Sequence, residues 1–321
     1  MPAALTFVIP VYNEEGSLQQ LASEISSAMA RQDISWRAIF VDDGSTDGSW
    51  NVIDSIAREL SSFEGIRLRK RFGKAAALAA GFQAAEGNYV AMLDGDLQDD
   101  PAEVPVMLQI LEEQRLDLVS GWKKIRHDPF HKVFPSRVFN AMVSWITGVK
   151  LHDHNCGLKV MRRAVVQEIQ LYGERHRFIP VLAAARGFSV GEKVVQHRPR
   201  QHGRSKYGVG RFFKGFLDLL TVRFLVSYEH RPQHLLGILG MLFAFLGVLG
   251  MSYLAWDWFR PGHTPLHQRP LLTYSVASLL LGVQFFSMGL LAELITAQRR
   301  RAEDGYSIAE RTTGLRETDS H

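Results

Sequence analysis

An apolar run, YVAML (89 to 93), ends in Asp94-Gly95-Asp96, with Gln98, Asp99 and Asp100 close behind. Two carboxylates one residue apart at the end of a strand suit a hard divalent cation whose shell is completed by phosphate oxygens. The glycine between them allows a tight turn and the close approach of a ligand. Left uncompensated, such carboxylates repel one another and a pKa rises, so the motif requires a cation or a basic partner. An isolated D-x-D is common in solvated turns. This one closes the fourth strand of a regular pattern, Gln98 adds an oxygen donor, and Pro101 opens a helix.

The elements that must position these groups follow from periodicity. From residue 5 to about 120, short apolar runs alternate with helix-period segments: LTFVIPVY then 15–31, WRAIFVDD then 46–60, IRLRKR then 74–86, YVAMLDGD then 101–114, and finally LDLVSG. This alternation predicts an α/β fold of βα repeats on a mostly parallel sheet. In open sheets of this kind ligands sit outside the carboxyl ends of the strands. Polar residues stand at three such ends: Asn13 and Glu14, Asp42 and Asp43, Asp94 and Asp96. No G-x-x-x-x-G-K-[ST] occurs, and YNEEGS follows the first strand in place of G-x-G-x-x-G. Neither a P-loop enzyme nor a nicotinamide dehydrogenase is supported.

Among the 321 residues, 46% hydrophobic overall, two windows stand apart: 235–256 and 271–292 each run 22 residues without a charge. At 1.5 Å per residue each is about 33 Å long, enough to cross a bilayer core. Both are read as transmembrane helices, at about 235–256 and 271–295, within a hairpin at 233–297. LTFVIPVY is too short for a secretory h-region and lacks a basic n-region, so the N-terminal part is expected in the cytoplasm. Arg223, Arg231 and Arg299–Arg301 flank the hairpin on that side, against Arg260 and Arg269 in the connecting loop. The single cysteine, Cys156, excludes an intramolecular disulfide framework and a cysteine-cluster zinc site. A net charge of +4, concentrated near the apolar windows, favours anionic lipid or phosphate over nucleic acid as partner.

Residues 121–208 are less regular and carry the clusters HDHNCG (152–157), ERHRF (174–178) and HRPRQHGRSKYG (197–208). The three residues of His152-Asp153-His154 are consecutive and cannot all face one ion, which argues against zinc. In 209–232, Phe213, Phe216, Leu217, Leu220 and Phe224 recur at helical spacing, with Lys214, Asp218 and Thr221 on another face. This predicts an amphipathic helix on the membrane surface, and the same pattern also fits a core-packing helix. The tail 298–321 is charged, poor in large apolar residues and expected to be disordered.

FVIPVYNEE (7–15), VDDGSTDGS (41–49), GKAAALAAGF (73–82) and LDGDLQDDP (93–101) resemble glycosyltransferase family 2. Its GT-A fold is a Rossmann-like single domain that binds nucleotide sugars. SRVFN (136–140), DHNCGLKVMRR (153–163), RFIP (177–180), HRPRQHGRSKYG and SMGLLAELI (287–295) resemble its polyprenyl-phosphate branch, which includes dolichol-phosphate mannose synthase, bactoprenol glucosyltransferase and undecaprenyl-phosphate aminoarabinose transferase. The resemblance spans about nine-tenths of the chain. It implies a GT-A domain over 1–208 that binds a UDP- or GDP-linked sugar. Pro10, Tyr12, Asn13, Glu14, Asp43, Lys74, Asp94 and Gly95 would contact the donor, with Asp43 accepting from a base N–H. Asp94, Asp96 and Gln98 would hold Mg²⁺ or Mn²⁺ against the diphosphate, with Asp96 and Asp153 as catalytic carboxylates.

For the acceptor phosphate the resemblance points to Arg137 and the GRSKYG loop. The wider candidate set is Lys123, Arg126, Ser136, Arg137, Arg200, Arg204, Ser205 and Lys206, since guanidinium groups grip phosphate bidentately. Lys123 departs from the arginine that dolichol-phosphate mannose synthases carry. The implied reaction is inverting, metal-dependent transfer of a hexose, glucose or mannose, to a polyprenyl phosphate such as undecaprenyl phosphate. Its place would be the bacterial inner membrane, with the catalytic domain and both termini cytoplasmic, in a homo-oligomer such as a tetramer. Alternatives are a polysaccharide or protein acceptor and an inactive membrane scaffold. The Q-x-x-R-W of processive synthases is missing, and two helices do not enclose a polymer channel within one chain.

Overall fold

The computed structural model describes residues 4–124, 140–145, 147–169, 171, 175–198, 232–260, 265 and 269–300. The chain divides into two compact units, Met1–Val222 and Arg223–His321. In the first, β1 (Leu5–Val11), α1 (Leu18–Met29), β2 (Trp36–Asp42), α2 (Ser49–Glu59), β3 (Phe63–Arg67), α3 (Lys74–Ala84), β4 (Tyr89–Met92), α4 (Glu103–Glu113) and β5 (Leu118–Trp122) alternate as the periodicity predicts. They are followed by β6 (Lys159–Arg162), α5 (Arg163–Glu168), a 3₁₀ turn (Arg175–Phe178), α6 (Ile179–Ala185) and β7 (Val190–Val194).

One sheet collects all seven strands in the order β3-β2-β1-β4-β6-β5-β7. Successive side chains of a strand point to opposite faces, and β1 divides accordingly. Leu5, Phe7, Ile9 and Val11 join the core beneath α1, α2 and α4, while Val8 joins the core beneath α3, α5 and α6. The result is a sheet sandwiched between two helical layers, the arrangement expected of strands apolar on both faces.

The third strand begins upstream of the expected IRLRKR run and shares with it only Ile66 and Arg67. Phe63 sets the register, packing edge-on against Trp36 (5.6 Å) and stacking on Phe40 (5.7 Å) while pairing with Ala38. Arg69 and Lys70 are left to solvent. The sequence pattern also missed β6 and β7, the first four residues long and the second only half-buried. β6 runs antiparallel to both neighbours, with Lys159 opposite Met92 of β4 and Ser120 of β5. Its first residue therefore lies at the edge where the parallel strands end.

In the second unit, α7 (Pro232–Trp258) and α8 (Pro270–Arg300) form a hairpin. Leu236–Trp258 and Pro270–Ile295 are each long and apolar enough to cross a membrane. Only 17% of each apolar window is buried within the protein, so these are not core helices of a soluble domain. Residues 209–231, expected to form a surface helix, lie outside the described residues, and Pro232 belongs to α7. The helix expected to end near 295 runs on to Arg300, and 301–321 lie outside the described residues.

The two helices meet through small residues. A side chain at Gly282 would come within 2.5 Å of the Ala244 backbone nitrogen, and one at Gly240 within 2.8 Å of the Gly282 carbonyl. Ser278 donates from Oγ to the Phe243 carbonyl at 2.8 Å, and Arg269 pairs with Asp257 at the loop end (2.5 Å). Small residues and interhelical hydrogen bonds of this kind hold helices together where lipid removes the hydrophobic drive. Gly282→Val is expected to cost about 1–3 kcal/mol through overpacking. Thermal unfolding in detergent should show a lowered midpoint for it, and none for Val283→Leu on the outward face.

Candidate active site

The carboxyl ends of β1, β2 and β4 lie side by side, with Val11 paired to Asp42 and Val8 to Met92. The chains leaving β1 and β2 are buttoned together. Asn13, at φ 54, donates its backbone N–H to Ser45 Oγ (2.9 Å) and accepts the Thr46 N–H on Oδ1 (2.8 Å). The Glu14 N–H reaches Ser49 Oγ at 3.0 Å, and Glu15 Oε2 accepts the Gly48 N–H at 3.0 Å. Asn13 thus shapes the loop that presents Tyr12, whose ring lies under the Arg71 guanidinium at 4.2 Å.

Asp43 is buried, and its carboxylate accepts the backbone N–H of Phe72 (2.7 Å) and of Gly73 (2.9 Å). The residue expected to read a nucleobase therefore also anchors the turn that starts α3. A cleft lined by Gly44, Ser45, Arg67, Leu68 and Arg69 opens beside it. Pro10 closes β1 one residue before Val11, and its carbonyl lies 3.5 Å from where a Gly95 side chain would begin.

The D-x-D region is a cluster of opposed charges. Lys74, first residue of α3, forms an ion pair with Asp94. Lys123, just beyond β5, pairs with Asp99 at 2.7 Å. Burial pushes the Asp94 carboxyl up, but the Lys74 ammonium outweighs it and holds the group at about 2. Asp99 is raised by burial and by the charges of Asp94 and Asp96, with Lys123 opposing them. Asp96 is buried and accepts the Gln98 N–H on Oδ1 at 3.2 Å. The segment is pinned from outside by the Arg198 N–H on the Gln98 carbonyl (3.0 Å) and by Arg198 pairs to Glu24 and Asp100.

The tight turn expected at Gly95 falls instead at Leu97, the residue with positive φ (60°). Gly95 leaves ordinary room for a Cβ. Gly157 has no such room against these carboxylates: a Cβ there would lie 2.5 Å from Asp99 Oδ2 and 2.7 Å from Asp94 Oδ2.

Asp153 is buried and accepts the Asn155 N–H at 3.1 Å. Its flanking histidines diverge to different partners. His152 is exposed, pairs with Glu192 and stacks on Trp122 at 4.0 Å. His154 is buried against Ser144 Oγ (2.9 Å), and burial together with Lys159 lowers it to about 4. Lys123, expected at the acceptor phosphate, is committed to Asp99. Arg126, Ser136, Arg137, Arg200, Arg204, Ser205 and Lys206 lie outside the described residues. Sequence reasoning passed over Asp99, Gly157 and Lys159; the one signal was a lysine set in the apolar run CGLKVM.

These contacts separate two glycines. Gly157→Ala must displace the Asp94 or Asp99 carboxylate and is expected to lower stability by about 1–3 kcal/mol. Gly95→Ala should stay within about 0.5 kcal/mol, as substitutions away from such features do. Thermal unfolding of the two variants side by side checks the order.

The description "Glycosyl transferase family 2" matches residues 6–170. The chain is 40% identical over 312 residues to a dodecaprenyl-phosphate galacturonate synthase of Rhizobium johnstonii, covering 95% of this chain and 92% of the relative. It is 34% identical over 292 residues to an undecaprenyl-phosphate 4-deoxy-4-formamido-L-arabinose transferase of Pseudomonas syringae pv. syringae (91% and 85%). The fold matches glucosyl-3-phosphoglycerate synthase of Mycobacterium tuberculosis solved with Mn²⁺, UDP-glucose and glycerol 3-phosphate. That match has TM-score 0.53 and 21% identity, over 69% of this chain and 80% of that one. The same enzyme with Mg²⁺ and UDP matches at TM-score 0.54 and 20% identity, over 69% and 79%. An edge of strand-end carboxylates and ammonium groups on this sheet, the family match across half the chain and relatives aligned over nearly its whole length agree: the chain belongs to glycosyltransferase family 2 and is a glycosyltransferase.

Proposed function

We propose that the protein transfers a sugar from a nucleotide sugar to a polyprenyl phosphate at the membrane surface, with inversion at the anomeric carbon. The observation that carries this reading is one chain holding both parts: the Asp94, Asp96 and Asp99 edge with its lysines, and an apolar hairpin of membrane-spanning length. The names of the two relatives at 40% and 34% identity, both polyprenyl-phosphate sugar transferases, support the same acceptor. The candidate sugars are glucose and mannose, from the family resemblance, and galacturonate and 4-deoxy-4-formamido-L-arabinose, from the names of the relatives.

The site residues suit a divalent metal by their chemistry. Asp94 and Asp96 offer hard carboxylate oxygens, and the upward push of these two charges on Asp99 marks excess negative charge that a cation would relieve. Mg²⁺ or Mn²⁺ held by Asp94, Asp96 and Gln98 would neutralise charge on the departing diphosphate. Lys74, on the first turn of α3, reaches the same oxygens through its pairing with Asp94. Tyr12, Asn13, Glu14 and Asp43 would contact the nucleoside part of UDP or GDP.

The acceptor needs little help from a base. A phosphate monoester carries close to two negative charges near neutral pH, given a second pKa of about 6. Its oxygen attacks the anomeric carbon as the bond from that carbon to the diphosphate oxygen breaks, and the nucleoside diphosphate leaves with the electron pair. Docking calls for cations, and Arg126, Arg137, Arg200, Arg204 and Lys206 are the candidates, with Ser136 and Ser205 as donors. The hairpin would hold the unit on the cytoplasmic face of a bacterial inner membrane and set the height at which the lipid phosphate arrives. Assembly into a tetramer would cover part of the outward apolar surface.

The test is transfer by detergent-purified protein with undecaprenyl phosphate and Mg²⁺ or Mn²⁺, using labelled UDP-glucose, GDP-mannose and UDP-galacturonic acid in parallel. One sugar should enter the lipid fraction. Chelation with EDTA should abolish the transfer reversibly, and Asp96→Ala should reduce it by at least about 100-fold. Hydrolysis of the donor, or its transfer to protein or polymer with an unlabelled lipid fraction, overturns the acceptor assignment. Asp153→Asn is expected to lower turnover by about 100-fold with donor affinity retained; full turnover in the folded variant removes Asp153 from the chemistry.

A further inference from the structure

Lys159 is a fully buried lysine at the carboxyl edge of the sheet, 1% exposed. It begins β6 between the buried Leu158 and Val160 and donates from Nζ to the Cys156 carbonyl. Burial is the largest influence on it and lowers its pKa. Among the described residues no carboxylate forms an ion pair with it, in contrast to Lys74 with Asp94 and Lys123 with Asp99. The nearby Cys156 thiol is pushed up to about 12 by its own burial and is no counter-ion near neutral pH. The charges of Asp153, Lys74 and Asp94 all act on Lys159, which pairs in register with Met92, two residues before Asp94.

A buried ammonium with no carboxylate in ion-pair contact costs several kcal/mol. A methionine of similar length would fill the same space and stabilise the strand. The positive charge is accounted for if its anion arrives with the substrate. We propose that Lys159 is a further substrate-binding residue, whose ammonium, behind the carboxyl edge of the sheet, receives an anionic oxygen of the sugar nucleotide. This rests on the nucleotide-sugar reading above. The oxygen belongs to the diphosphate or to the carboxylate of a hexuronic acid, and in the first case Lys159 also opposes the charge that builds on the leaving group.

The experiment is calorimetric titration of the full-length protein in detergent with Mn²⁺ present, using UDP, GDP, UDP-glucose, GDP-mannose and UDP-galacturonic acid. Wild type is compared with Lys159→Met, Lys159→Gln and Lys159→Arg, each also followed by thermal unfolding. Lys159→Met should melt at or above the wild-type temperature and lose at least tenfold in affinity. Lys159→Gln, which keeps a donor for the Cys156 carbonyl, should lose as much, and Lys159→Arg should recover part of it. A loss shared by the bare nucleoside diphosphate assigns the contact to the diphosphate; a loss confined to UDP-galacturonic acid assigns it to the sugar carboxylate. Wild-type affinities in folded Lys159→Gln overturn the proposal, as does a Lys159→Met variant whose instability accompanies undiminished binding. A wild-type protein that binds none of the five overturns the nucleotide-sugar reading itself.

Discussion

Three carboxylates, the buried Asp96 and Asp99 and the half-buried Asp94, crowd one edge of a sheet, and their compensation is the constraint around which the catalytic unit is arranged. Charges withdrawn from solvent persist only when paired. Lys74 and Lys123 supply the pairing from opposite sides, one from the first turn of α3 and the other from the end of β5. Gly157 supplies the space, since any side chain there would collide with both Asp94 and Asp99. Arg198 draws the far end of the segment towards α1. Removing Lys74 or Lys123 leaves Asp94 or Asp99 facing a like-charged neighbour.

The antiparallel insertion of β6 brings a further segment of chain to the same edge. A sheet with parallel strands alone would place only strand ends on the ligand side. Reversing β6 brings a strand beginning to that side, and with it the loop carrying Asp153, His154 and Gly157 and the ammonium of Lys159. The donor carboxylates and the residues read as facing the acceptor thus come from distant stretches of chain on adjacent strands. Asn13, Ser45, Thr46 and Ser49 bond the loops of β1 and β2 to one another, and Ser17 Oγ, donating to the carbonyls of Glu14 and Gly95, ties this network to the charge cluster.

The hairpin obeys a different physics. Its interface is built from glycines and a serine that bring backbones together, and its large side chains point outward. In water such a surface would aggregate; in lipid it is the solvated surface. The ion pair between Asp257 and Arg269 closes the polar end. A phosphate-bearing lipid as acceptor gives the two units a reason to share one chain.

The sequence by itself determined the alternation of strands and helices, the side of the sheet on which ligands must sit, the family and the apolar hairpin. Each of these is written in local periodicity, in short motifs or in the length of an uncharged run. Only the tertiary structure decided how the charges are paired, because pairing joins residues remote in the chain: Lys123 with Asp99, Lys74 with Asp94, Gly157 against both. It moved the third strand to Phe63, where aromatic packing outweighed the apolar pattern of the next residues. It placed the strained turn at Leu97 when composition favoured Gly95. Lys159 was invisible for the same reason, since a lysine in a short strand reads as a solvated edge until burial on both faces shows that no water reaches it.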